Sequence, residues 1–422
     1  MSKLAIVWLG VSLGLSNIVY AESTTLKDVQ LNKNCSNQLL IDAFRCGKFT
    51  GKSHTLYYST HNAYFVQNLN QDTISTGGFV KYETANFLGV RLGISYAGQR
   101  RLDEKDSSKN EVSELSPEKD GLAEAYLDWK NEGLSFRVGQ QSLDIPFVGN
   151  YDWRIMPVLY RALDFKYENK QDFIRLTALD RFKSYADDQF EKGSRYSKDI
   201  ETDGMWSVGF GKGVDVGDQR YVGQVWYQSY DNYNYIAYTE GHVKFENVTY
   251  QPDVGIQLMY SKDQGKAQAG KVDHQGIGIS LVLNLFDKMN LTSAYNYIKP
   301  NKNSYLNGAL FAPYMFYTAS GPYFAQPFFT STQDLGAGHA TSIALEGSIT
   351  EQAYVGARYS FMNLKEAEHL KNLNQSEYIL YGIYSFSGAL KGWSLSNFAG
   401  VVTSSREDKT FLQNRFGLTY QF

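Results

Sequence analysis

Residues 410–422 read TFLQNRFGLTYQF, and the last eight of them decide the fold. Phe416, Leu418, Tyr420 and Phe422 fall on one parity, with Arg415, Gly417, Thr419 and Gln421 on the other. Successive side chains of a strand point to opposite faces, so strict alternation marks a strand with one apolar and one polar side. The same period recurs up the chain. In 88–97, Val90, Leu92, Ile94 and Tyr96 oppose Arg91, Gly93 and Ser95. In 133–141, Leu134, Phe136 and Val138 oppose Ser135, Arg137, Gly139 and Gln141, and in 172–180, Ile174, Leu176 and Ala178 oppose Arg175 and Thr177.

Eighteen segments read this way from residue 50 onward: 50–60, 75–84, 88–97, 121–130, 133–141, 158–168, 172–180, 202–212, 219–230, 234–246, 253–262, 273–284, 289–298, 340–349, 352–362, 376–386, 392–404 and 410–422. Each has about the ten residues that a tilted strand needs to cross a bilayer. The connections alternate. Short ones fall near 85–88, 130–133, 168–172, 247–252, 284–289 and 349–352; long ones fall at 98–120, 142–157, 181–201 and 299–339. The 231–233 connection is short where a long one is expected. An even strand number with short turns at one end and long loops at the other describes a transmembrane antiparallel β-barrel. A sandwich does not require that alternation, and no fixed repeat supports a propeller.

Composition agrees. The chain has 422 residues but only 8 Pro, where about 21 would be average. Length alone suggests two or three soluble domains, yet no linker appears. One large barrel removes that tension. Mean hydropathy is mildly negative, the average of a lipid face, a wet face and polar loops. With 41 basic and 44 acidic residues, the balance argues against a nucleic-acid partner. Aromatic residues make up 15%. Many stand near strand ends, including Trp129, Tyr227, Tyr295, Tyr297, Tyr384 and Phe386; on the outer face they would form girdles at the lipid boundaries.

Residues 1–21 read as a secretory signal peptide: Lys3, an apolar run from Leu4 to Leu15, then Val19 and Ala21 at the positions a signal peptidase inspects. Residues 22–48 form an N-terminal segment, and 49–422 a single barrel domain. Cys35 and Cys46 are the two cysteines. Export permits a disulfide between them, and the bonded and free states both stay open. With no His near them in sequence, a metal site is not expected. Tyr420 and Phe422 end the last strand on aromatic residues, resembling the signal that outer-membrane assembly machinery recognises.

Three stretches carry a family resemblance. Residues 134–170, LSFRVGQQSLDIPFVGNYDWRIMPVLYRALDFKYENK, combine an Arg-Val-Gly strand core with Leu143-x-x-Pro146 and a returning Trp153-Arg154-Ile155-Met156-Pro157 segment. Gly270–Gln275 leads into another alternating strand, and Ser387–Gly392 precedes the penultimate one. In order and spacing these resemble the OprD family of Gram-negative outer-membrane porins. The resemblance implies a monomeric eighteen-stranded barrel, a trimer being the alternative, with both termini periplasmic. It also implies a third external loop folded into the lumen, here Ser142 to Val158. Pro146 and Pro157 would stiffen that loop, Phe147, Tyr151 and Trp153 would give it bulk, and Asp144, Asp152, Arg154 and Arg161 would set opposed charges across the narrowest point. The aromatic 299–339 segment resembles the family's seventh loop.

Many family members carry a ladder of basic residues down the lumen. By pleat phase the inward candidates are Lys81, Arg91, Arg137, Lys166, Arg175, Lys244, Arg358 and Arg415. Inward Glu83, Glu124, Asp128, Asp164 and Glu346 dilute them, and 392–404 contains no basic residue. Steering by such a mixed lumen should be weak and salt-sensitive. The six His are scattered singly, with no triad, metal set or phosphate loop, so no catalytic residue, metal or cofactor is expected. A barrel hydrolase is the first rival. An adhesin using the charged loop 99–120 is the second, although a solvated loop binding lipopolysaccharide or divalent cations explains its composition. The reading is a porin passing amino acids, small peptides, organic acids or short sugars.

Overall fold

A computed structural model describes residues 35, 38–149, 154–286, 288–316, 323–330, 335–366 and 371–422. The expected signal peptide lies outside them. The first strands are β1 (Lys48–His61), β2 (Gln71–Glu83), β3 (Val90–Arg101), β4 (Lys119–Asn131), β5 (Leu134–Gln141) and β6 (Leu159–Asn169). Then come β7 (Asp172–Lys183), β8 (Met205–Val216), β9 (Gln219–Tyr230), β10 (Asn234–Phe245), β11 (Asp253–Asp263) and β12 (Asp273–Leu285). The last are β13 (Met289–Ile298), β14 (Gly338–Ser348), β15 (Ala353–Leu364), β16 (Leu373–Ser385), β17 (Trp393–Ser404) and β18 (Phe411–Gln421). Each pairs antiparallel with its sequence neighbours, and β1 pairs with β18, so the sheet is closed. Closure leaves no unpaired edge, a condition for strands in lipid.

The eighteen expected segments all have a counterpart. The differences lie at their ends. β3 ends beyond 97 and β4 begins before 121 because their ladder continues through Gly98–Asp120 and Gln99–Lys119, where Arg100 also pairs with Asp120. β8 starts later than 202, after Gly204 turns the chain with φ +91°. The 231–233 connection is a genuine tight turn between β9 and β10, with Asn232 at φ +58°.

The outer face is apolar across the middle of the wall. Ile94, Leu163, Val225, Ile256, Ile279, Ile343 and Leu380 stand exposed there. A continuous exposed apolar belt has no stable place in water but suits hydrocarbon. No helix among the described residues is long and apolar enough to cross a membrane. Toward the long-loop rim the belt ends in touching rings, Trp206, Tyr227, Tyr235 and Tyr260. At the opposite rim Trp393 meets Tyr420, which stacks on Phe422. Phe422 exchanges both backbone hydrogen bonds with Gly51, at 3.0 and 3.1 Å. A Cβ on Gly51 would meet the Phe422 ring, so glycine there lets the ring lie flat across the seam.

The short helix α1 (Leu40–Arg45) precedes β1. A disulfide joins Cys35 to Cys46, with Cα atoms 6.3 Å apart. The segment is also tied to the wall, since Ala85 N–H bonds to the Ala43 carbonyl. Of the two states open from sequence, the structure holds the bonded one.

Candidate functional site: the inner wall and its loops

The pleat that exposes apolar side chains outward turns the polar set inward. On β2–β7 this builds a lateral row of charges. The register sets Arg91 of β3 beside Asp128 of β4, Asp128 beside Arg137 of β5, and Arg137 beside Asp164 of β6. Arg91 pairs with Asp128, Arg137 reaches the same carboxylate at 3.1 Å, and Arg175 pairs with Asp164 at 2.9 Å. Lys81 meets Glu124 at 3.0 Å and Lys166 meets Glu168 at 2.7 Å. Arg137 also lies over the Tyr126 ring, 4.1 Å from its centroid, while the Tyr126 hydroxyl donates to Glu83 at 2.7 Å. Five expected ladder cations are therefore inward, and each is matched by a carboxylate.

The remaining three differ. Lys244 shares the inward phase of β10 with Glu240 and His242. Arg358 of β15 is covered, its guanidinium donating to the Gln326 carbonyl at 2.5 Å and so holding the long β13–β14 loop. Arg415 of β18 lies over Tyr58 and 3.6 Å from Glu114.

Loop 142–158 touches the inner wall at several points. The Pro146 carbonyl accepts a 2.6 Å hydrogen bond from Gln228 on β9. Phe147, fully buried, meets the Tyr238 ring of β10 edge-on at 5.6 Å. Leu143, Ile145 and Val148 join the same apolar cluster, together with Leu310, Phe311 and Tyr314 of the long loop. Asp144 is exposed, and its carbonyl accepts from Arg175. Arg154 lies over Tyr185 and pairs with Glu114 at 2.6 Å. Tyr151, Asp152 and Trp153 lie outside the described residues. Arg161 requires a correction. On β6 it has the parity of exposed Leu163, and it pairs with Asp180 on the outer face. It borders an outward groove of about 710 Å³ with Trp206 and Asp231. The apparent proximity to loop 142–158 in sequence is undone by the pleat, which turns Tyr160 in and Arg161 out.

The described residues of the β13–β14 loop, 299–316, 323–330 and 335–337, pack against the wall through aromatic side chains. Phe328 stacks on Phe398 of β17 and Tyr381 of β16. The buried Glu377 carboxylate accepts from the backbone N–H groups of Phe328 and Phe329 at 2.5 and 2.9 Å. Loop 102–118 departs from the expectation of a wholly solvated segment. Its Val112 and Leu115 are buried against Leu56, Tyr58 and Ile155, two apolar anchors inside a stretch dominated by charge. Burial alone would raise the pKa of Glu114, but Arg154 and Arg415 outweigh it and bring the carboxyl down from 4.5 to about 2. Sequence reading misses Glu114 and Glu377: the first sits in a charged loop, and the second is the second residue of the segment read as 376–386.

Among the described residues no group of three or more His, Cys, Asp or Glu is arranged to hold a metal ion. His242 lies between Asp253 at 2.9 Å and Glu240 at 3.2 Å, buried beneath Phe324.

No family sequence model and no curated protein sequence matches the chain. Solved structures do match. The barrel is similar to Pseudomonas aeruginosa OpdK, solved with vanillate, at a TM-score of 0.76 and 12% identity, over 90% of this chain and 99% of that one. It is similar to OccK9 (OpdG) of the same organism at 0.77 and 14%, over 90% and 99%. A BenF-like porin from Pseudomonas fluorescens gives 0.77 and 11%, over 89% and 98%. The chain thus has the fold of an eighteen-stranded porin barrel. The resemblance read from residues 134–170, 270–275 and 387–392 is met at the level of fold.

Proposed function

We propose that this protein is a porin of the Gram-negative outer membrane, exported by its 1–21 segment, through which small hydrophilic solutes diffuse passively. The observation that carries the reading is the closed eighteen-stranded wall with an apolar belt outside and paired charges inside. Hydrocarbon accepts the first surface and water the second. Passive diffusion needs no nucleophile, cofactor or energy source.

Loops 142–158 and 299–339 form the constriction in this reading. Pro146 and Phe147 brace the first loop, and Arg154 supplies its charge. Ion pairs within the inner wall leave little net field, so the pore takes solutes by size and dipole more than by charge. Amino acids, small peptides, organic acids and short sugars fit these limits. Both termini face the periplasm, lipopolysaccharide surrounds the long-loop rim, and the barrel works as a monomer.

Planar-bilayer recording of the purified protein tests the reading. Discrete openings are expected, with conductance altered in Arg137→Gln or Arg154→Gln. A barrel without openings would instead support the adhesin. Openings unaffected by either substitution would remove Arg137 from the pore lining and Arg154 from the constriction.

A further inference from the structure

The strongest unassigned group in the molecule is the contact among Glu114, Arg154 and Arg415. Its members come from three separated parts of the chain: loop 102–118, loop 142–158 and strand β18. Glu114 Oε2 lies 2.6 Å from Arg154 Nε, and Oε1 lies 3.6 Å from an Arg415 terminal nitrogen. Each arginine also rests on a ring, Arg154 on Tyr185 at 3.9 Å and Arg415 on Tyr58 at 4.3 Å. All three charged side chains are less than one-fifth exposed.

Beside them loop 102–118 is fixed to the wall by more than charge. The Leu115 carbonyl accepts from Ser75 of β2 at 2.8 Å and from Gln99 of β3 at 3.0 Å. Val112 N–H donates to the Thr73 hydroxyl at 2.9 Å. These bonds hold the carboxylate in one place. The clamp is thus a preset counter-charge, not a mobile side chain finding a partner.

We propose that Glu114 is a selectivity-determining residue of the pore, and that loop 102–118 is a third, fixed part of the constriction. The proposal rests on the porin reading above. Two guanidinium groups held close together would by themselves draw anions into a low-dielectric passage. Glu114 offsets one of them and links the loop bearing Arg154 to the wall bearing Arg415. Its carboxyl stays ionised at ordinary pH, because the two arginines bring its pKa down to about 2 against the effect of burial. Removing the carboxylate and removing one arginine must therefore shift ion preference in opposite directions.

Reversal potentials under a salt gradient read this directly. Glu114→Gln keeps the side-chain size and should raise the anion-to-cation permeability ratio by about threefold. Arg415→Gln leaves Glu114 with one partner and should lower the ratio by a similar factor. Arg154→Gln, on the other loop, should lower it as well and serves if Arg415→Gln does not assemble. Opposite shifts cannot arise from general loosening of the barrel, which would move all variants the same way. Open channels whose ratio is unchanged in Glu114→Gln, or shifts of one sign in all variants, would overturn the proposal. A wild-type barrel without channels fails the porin reading instead, which separates the two.

Discussion

The two halves of the barrel interior are built on different physical terms. The β2–β7 wall carries rows of charge in alternating sign, solved locally between neighbouring strands. The β9–β17 wall is covered by loops packed through rings, such as Phe328 against Phe398 and Phe147 against Tyr238. Ion pairs in a wet passage stay near solvent and can answer to a solute. Buried aromatic contacts stabilise the loops by excluding water and offer a solute little. In the porin proposed above, the first half sets the electrical character of the lumen and the second its width.

That contrast can be broken most severely at Glu377. In Glu377→Ala the buried Phe328 N–H and the half-buried Phe329 N–H lose their acceptor, the first at a cost of roughly 1–3 kcal/mol. Loop 299–339 should then become cleavable by protease, and conductance should rise by about twofold. Conductance and cleavage both at the wild-type level would show that the rings alone hold the loop.

The charged half is next. Asp128 serves Arg91 and Arg137 together, so Asp128→Asn leaves two unmatched cations. The anion-to-cation permeability ratio should increase by about threefold while conductance changes little. An equal rise in Glu377→Ala would erase the division of labour between the halves.

A smaller effect concerns pH. The Glu114 carboxyl is depressed from 4.5 to about 2. Its contribution is therefore complete above 4.5 and is lost only as pH falls toward about 2. The selectivity that depends on Glu114 should be the same at pH 7 and pH 5 and should begin to change only below about pH 4. A midpoint near 4.5 in the Glu114-dependent part, obtained by subtracting the Glu114→Gln profile, would mean that the arginines do not act on it.

The smallest effect is expected at Arg161. It lies on the outer face with Asp180, so Arg161→Ala should leave conductance and ion preference within about 20% of wild type. A large shift in either would place it in the lumen after all.

These residues also show what the sequence makes legible. Alternation of the kind seen in 88–97 and 410–422, repeated over eighteen segments, is enough for strand existence, face and number, because one face must be apolar throughout. Arg91, Arg137 and Arg175 could be turned inward by counting alone. Arg161 defeated the reading, since it was assigned by nearness to loop 142–158 and not by its parity with Leu163. Pairing was also hidden: the match of Arg175 to Asp164, or of Glu114 to Arg154, depends on register and loop course. The inward course of loop 102–118 had one local signal, Val112 and Leu115 amid charges. Glu377 had parity in its favour, but nothing local says that a carboxylate will cap the backbone of a loop almost fifty residues earlier.

The tight 231–233 turn has a topographic consequence. It is flanked by loops 184–204 and 264–272, and the far longer 299–337 rises four strands further round the wall, so the rim dips at the β9–β10 hairpin. The ring row of Trp206, Tyr227, Tyr235 and Tyr260 lies close beneath that dip. Aromatic rows settle at the boundary between hydrocarbon and headgroups, so the membrane surface must come nearly level with the rim on this flank. A large ligand approaching from outside, such as an antibody, would find relief to grip only around the rest of the mouth. On the low flank it would meet mostly lipid.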